Sequence, residues 1–76
     1  MDNRNTPKAR VIRAAELIVR QGAEIEVRGA RVKGRFGGYF LAEASADGRV
    51  LARSRDRNWR KAYKGLEIEL CRQAVI

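Results

Sequence analysis

The densest chemistry in the chain is cationic. Arg53, Arg55, Arg57, Arg60, Lys61 and Lys64 follow one another with only Asp56 to oppose them, and a second group, Arg28, Arg31, Lys33 and Arg35, surrounds the start of a glycine-rich stretch. Arginine presents a planar fork of donors that matches phosphate oxygens, and its charge is fixed. At helical spacing Arg57, Lys61 and Lys64 share one side, with Arg60 at its flank. They would also lie in the first turns of a helix, where free backbone N–H groups favour an anion. The chemistry within reach is therefore phosphate capture. Phe36 and Tyr39, beside glycines and arginines, add two rings that can stack on a base or enter a groove. Trp59 and Phe40 fall on apolar faces and are read as core.

Other chemistries are poorly supplied. The chain has no histidine, so it lacks a side chain that exchanges protons near neutral pH and an imidazole metal ligand. Cys71 is the only cysteine, which excludes an internal disulfide and a cysteine zinc site, and no imidazole exists to activate it. The pairs Glu24–Glu26 and Glu67–Glu69 could each share a strand face. Two carboxylates so placed can hold a hard cation, but they more often only solvate the face. Gly34-x-x-Gly37-Gly38 has neither phosphate-loop nor dinucleotide spacing. The expectation is a protein with no catalytic residue, no metal and no cofactor.

Short elements must carry these groups. Thr6-Pro7 opens a helix, with Thr6 as the cap and Pro7 in the first turn, and Gly22 ends it. Within it Val11, Ile12, Ala14, Ala15, Ile18 and Val19 share a face, leaving Arg10, Arg13, Leu17 and Arg20 outside. Residues 23–28 alternate, Ile25 and Val27 facing one way and the charges the other, and predict a half-buried strand. Gly29-Ala30 reads as a turn, with residues 31–36 a second strand or an extended loop. Residues 39–44 and 49–54 form a hairpin about Asp47-Gly48. A two-residue loop would pair Ala42 with Arg53 and bring an arginine inward. A three-residue loop with a bulge at Gly48 pairs Ala44 with Val50, Ala42 with Ala52 and Phe40 with Ser54. This register segregates the faces better and is the one predicted. It places Tyr39, Leu41, Glu43, Leu51 and Arg53 on the outer face.

Asp56 or Asn58 can cap the last helix, in which Trp59, Ala62, Tyr63, Leu66, Leu70 and Ala74 form a stripe. Gly65 costs about 1 kcal/mol inside a helix, and residues 66–70 alternate as a strand would. The longer stripe favours one helix through Gly65 over a helix that stops at Lys64 before a strand at 66–71. The outcome is a single small α+β domain over residues 1–76, of order α-β-β-β-α. It has an antiparallel sheet of three strands, or four if 66–71 is a strand, with two helices packed on one face. Residues 1–5 are expected to be disordered.

Length and charge bound the rest. The chain holds 17 Lys and Arg against 9 Asp and Glu, a net charge of +8 in 76 residues, and such a field attracts polyanions. No apolar run approaches the ~20 residues that span a bilayer, so no membrane partner is expected and a cytoplasmic protein is the default. The element order, with cations leading into the last helix, resembles the double-stranded RNA-binding domain. That resemblance implies phosphate contacts through Arg57, Arg60, Lys61 and Lys64; the family's histidine-containing loop between its first two strands has no counterpart here. Residues 33–40, Lys-Gly-Arg-Phe-Gly-Gly-Tyr-Phe, resemble the Lys-Gly-Phe-Gly-Phe core of RNA-recognition strands and cold-shock domains, with extra residues interrupting the spacing. Neither resemblance assigns the chain to a family. The expectation is a small non-enzymatic protein that binds DNA or RNA. The alternative is an inhibitor or adaptor that covers an acidic protein surface, as phage or mobile-element anti-CRISPR proteins do, and an exposed patch of Tyr39, Leu41 and Leu51 would favour it.

Overall fold

Residues 6–75 are described in the computed structural model; the disorder expected for residues 1–5 lies outside the described residues. Helix α1 spans Pro7–Glu16 and starts as expected. Thr6 Oγ1 accepts from the Ala9 N–H at 3.1 Å, and Pro7 takes the first turn, where its missing N–H costs nothing. The helix ends well before Gly22. Leu17 and Ile18 donate to the Ala14 and Ala15 carbonyls, i→i+3 bonds that tighten the last turn. Residues 20–24 are held elsewhere: Arg20 Nη2 binds the Asp47 carboxylate at 3.0 Å, and Glu24 N–H donates to Asp47 Oδ1 at 3.1 Å. The Asp47 N–H returns a bond to the Glu24 carbonyl at 3.0 Å, so this connection is tied to a distant turn rather than free to stay helical.

Three antiparallel strands follow, β1 (Ile25–Gly34), β2 (Gly37–Ala46) and β3 (Arg49–Asp56), in the order β1-β2-β3. The turn expected at Gly29-Ala30 does not form. β1 runs straight through it, with Gly29 opposite Ala42 and Ala30 opposite Leu41. A Cβ on Gly29 would collide with the Phe40 ring and the Tyr63 hydroxyl. Gly29 is there to let two rings lie against the sheet, not to bend the chain.

The β2–β3 register also departs from expectation. Asp47 and Gly48 have φ of 51° and 82°, a two-residue turn whose twist matches the flanking strands. Ala46 pairs with Arg49 and Ser45 with Val50, but beyond them Ala44 pairs with Ala52, Ala42 with Ser54 and Phe40 with Asp56. The residue left over is Leu51, and the bulge it makes does what neither uniform register could. Val50, expected inside, is 48% exposed, whereas Leu51, expected outside, packs against the core. Ala52 stays buried and Arg53 stays out.

Helix α2 runs unbroken over Trp59–Ala74, and no fourth strand occurs among the described residues. Both candidate caps act, in series: Asn58 Oδ1 accepts from the Arg60 N–H at 2.8 Å, and Asp56 Oδ1 accepts from the Asn58 N–H at 3.0 Å. Gly65 faces Ser54 of β3, where a Cβ would meet the hydroxyl, so its absence lets the helix lie close and offsets the helical cost of glycine. Further along, Gln73 Nε2 donates to the Leu51 carbonyl at 3.0 Å.

Both helices cover one face of the sheet. Val11, Ala14 and Ala15 of α1 and Ala62, Leu66 and Leu70 of α2 close over Val27, Ala42, Ala44 and Ala52. The alanine floor admits the helices closely, and Leu66 and Leu70 supply most of the bulk; truncating either to alanine would cost about 2–5 kcal/mol. By strand alternation the opposite face carries Glu26, Arg28 and Val32 of β1, Tyr39, Leu41 and Glu43 of β2, and Arg53 and Arg55 of β3, and among the described residues no helix covers it.

Candidate nucleic-acid interface

The two helices lie side by side and run in the same direction. Pro7 and Arg10 of α1 line a groove with Arg60, Lys61, Lys64 and Glu67 of α2; further along, Arg13 and Leu17 line another with Cys71. Both helix starts therefore lie at one end of the molecule, where amides without intrahelical partners add partial positive charge. The first groove, about 470 Å³, gathers Arg10, Arg60, Lys61 and Lys64 against the single carboxylate Glu67. Lys64 Nζ stands 3.6 Å from Glu67 Oε1. Arg10, Arg60 and Lys61 make no ion pair among the described residues.

The sheet extends past this end as a narrower structure. β3 stops at Asp56, opposite Phe40, and beyond that level only β1 and β2 continue. The pairs Val32–Tyr39, Lys33–Gly38 and Gly34–Gly37 form a two-stranded ribbon closed by Arg35 and Phe36. Its root is fixed beside α2: the Phe40 and Tyr63 rings lie 5.5 Å apart, and Tyr63 meets Trp59 in a T-shaped contact at 6.1 Å. Arg31, Lys33 and Arg35 are exposed with no carboxylate on the ribbon, and Phe36 at the tip is 92% exposed.

The two cationic groups read from the sequence come together only in part. Arg60, Lys61 and Lys64 lie in the first turns of α2, whereas Arg57, expected to share their helix, stands just ahead of the Asn58 cap and outside it. Arg31, Lys33, Arg35 and Phe36 belong to the ribbon and its root at the same end. Arg28, Arg53 and Arg55 lie instead on the open face of the sheet. There Arg53 Nε binds Glu43 and Arg28 Nε binds Glu26, each at 2.7 Å, so much of the charge is neutralised locally. The hydrogen bond to Glu26, reinforced by its charge, raises the pKa of Arg28. Arg55 lies over the Tyr39 ring at 5.8 Å, which covers an aromatic surface the sequence had offered for stacking.

Two residues outside the predicted site belong to it. Arg10 reaches the groove because the helices are parallel, a relation that spacing along one helix does not record. Trp59, read as core, is 41% exposed. It lies a turn ahead of Ala62, past the ground that Leu66 and Leu70 cover, and the Arg60 guanidinium sits 5.2 Å from its ring. The patch of Tyr39, Leu41 and Leu51 does not form, since Leu51 packs inward. Exposed apolar side chains gather elsewhere on the helical layer, where Leu17, Ile68 and Val75 surround Cys71.

The far end is acidic, with Glu24, Glu26 and Asp47 around a shallow hollow. Asp47 is already engaged by Arg20, and no group of three or more His, Cys, Asp or Glu side chains among the described residues is arranged to hold a metal. No helix among the described residues is long and apolar enough to cross a membrane. Comparison with protein-family models, curated proteins and solved structures found no match to this chain.

Proposed function

We propose that this protein binds nucleic acid without catalysing a reaction on it, using the end where the two helices begin and the ribbon projects. The observation that carries the reading is the gathering of cations there without neutralising partners among the described residues. Arg10, Arg57, Arg60 and Lys61 come from the helical side and Arg31, Lys33 and Arg35 from the ribbon, while the local acids are few: Asp56 caps the chain ahead of α2 and Glu67 faces Lys64. Phosphates would be held by guanidinium and ammonium groups aided by the helix starts. Trp59 and Phe36 would add ring contacts to sugar or base.

Titration with duplex DNA, duplex RNA and single strands across a salt series tests the reading. Affinity should fall steeply as salt rises. Arg57→Ala, Lys61→Ala and Lys64→Ala should each flatten the log–log slope by up to about 0.9 on B-form DNA. No binding to any of these ligands at low salt would reject the proposal.

A second reading, capture of an acidic protein surface, draws on the exposed Leu17, Ile68 and Val75 beside Lys64 and Arg72. It predicts a partner whose binding responds to Ile68→Ser or Val75→Ser and is indifferent to changes on the ribbon.

A further inference from the structure

The ribbon narrows the choice of nucleic acid. From the level of Arg31 to Gly34 it advances three residue steps, about 10 Å at ordinary strand rise, before the turn adds Arg35 and Phe36. Gly34, Gly37 and Gly38 leave the part nearest the tip thin, with side chains only where Lys33, Arg35 and Phe36 project. The major groove of B-form DNA is about 12 Å wide and 8.5 Å deep and admits a two-stranded β-ribbon. The major groove of A-form RNA is deep and too narrow for one.

The aromatic side chains argue in the same direction. A single strand is held by successive rings on which successive bases stack. Here Tyr39 is covered by Arg55, Phe40 packs on Tyr63, and Trp59 carries Arg60. Phe36, 92% exposed against 41% for Trp59, is the most open ring and stands at the point that would reach deepest. One apolar ring at the floor of a groove meets base edges, the thymine methyl above all.

We infer that the ligand is B-form duplex DNA, with the ribbon in the major groove, Phe36 against base edges, and Arg57, Arg60 and Lys61 on the flanking phosphates. The inference rests on the reading of this end as a nucleic-acid interface, and the test separates the two. Wild-type protein, Phe36→Ala and the double variant Arg57→Ala/Lys61→Ala are titrated against a labelled DNA duplex, an RNA duplex of the same sequence and each single strand. Phe36 has no packing role, so Phe36→Ala keeps the fold. The DNA duplex should bind about tenfold tighter than the RNA duplex, the size expected of one or two good base-edge contacts. Phe36→Ala should erase that preference and leave RNA binding unchanged, whereas the double variant should weaken all ligands alike. Guanine N7, which faces the major groove, should be protected from dimethyl sulfate in the DNA complex.

Salt-sensitive binding that ranks RNA or single strands with duplex DNA, ignores Phe36→Ala, or leaves N7 reactive overturns the ribbon placement and spares the phosphate interface. Absence of salt-sensitive binding to every ligand overturns both.

Discussion

The hairpins β1–β2 and β2–β3 share strand β2, and each closes through two residues with a glycine at positive φ, Gly37 or Gly48, yet their tips are held differently. Asp47-Gly48 sits at positive φ, a conformation that aspartate tolerates and glycine prefers. It is bound through side chain and backbone to Arg20 and Glu24. Every feature of that turn is spent on structure. Arg35 and Phe36 themselves are not left-handed, the positive φ of 114° falling on Gly37 just after them, and their side chains make no hydrogen bond, ion pair or ring contact among the described residues. A turn that would accept almost any polar pair instead holds a cation and a bare phenyl ring in water. Residues that a fold does not require are where a partner can be read, and here they cluster at one tip.

The contrast can be broken from either side. The largest effect should come from Arg31→Ala, Lys33→Ala and Arg35→Ala together, which should lower nucleic-acid affinity on the order of a hundredfold at low salt and flatten the salt slope by up to about 2.7 on B-form DNA. Thermal unfolding should barely move, because these side chains touch nothing in the core. Next comes Gly29→Ala, which drives a methyl group into Phe40 and Tyr63 at the ribbon's root. It should cost about 2 kcal/mol in chemical denaturation and lower Tm by roughly 4–8 °C per kcal/mol in so small a domain. Smallest is Asp47→Ala, which removes the acceptor of the Glu24 N–H and should cost about 1 kcal/mol with no change in affinity for nucleic acid. If Asp47→Ala weakened binding as much as the ribbon substitutions do, the division between a structural tip and a functional one would fail.

Much of the fold was legible because it follows from local chemistry. Thr6-Pro7 and Asn58 announce helix starts by their own hydrogen bonds, and the stripe of Ala62, Leu66 and Leu70 holds through Gly65. The errors fell where a residue's reason lies across the sheet. Gly29 looks like a turn in one dimension; only the rings above it explain a glycine inside a strand. Leu51 exposes a similar limit, since a bulge puts one residue out of alternation and pattern reasoning assumes alternation throughout. The candidate site was half legible. Cations on α2 and the ribbon were visible as runs, but Arg10 joined them only through parallel helix packing, and Arg28, Arg53 and Arg55 left them because alternation carries them to the other face.

Among the described residues, the strand order β1-β2-β3 leaves the outer side of β1 without a strand neighbour along its whole ten-residue length. Unpaired backbone of that extent is a template on which another copy could add a strand, and proteins discourage such association with charged side chains along the exposed strand. Glu26 and Arg28 on one face and Arg31 and Lys33 on the other carry such charges along this one. Arg31 and Lys33, which would face a polyanion, thus also help set how concentrated the free protein can become before it self-associates.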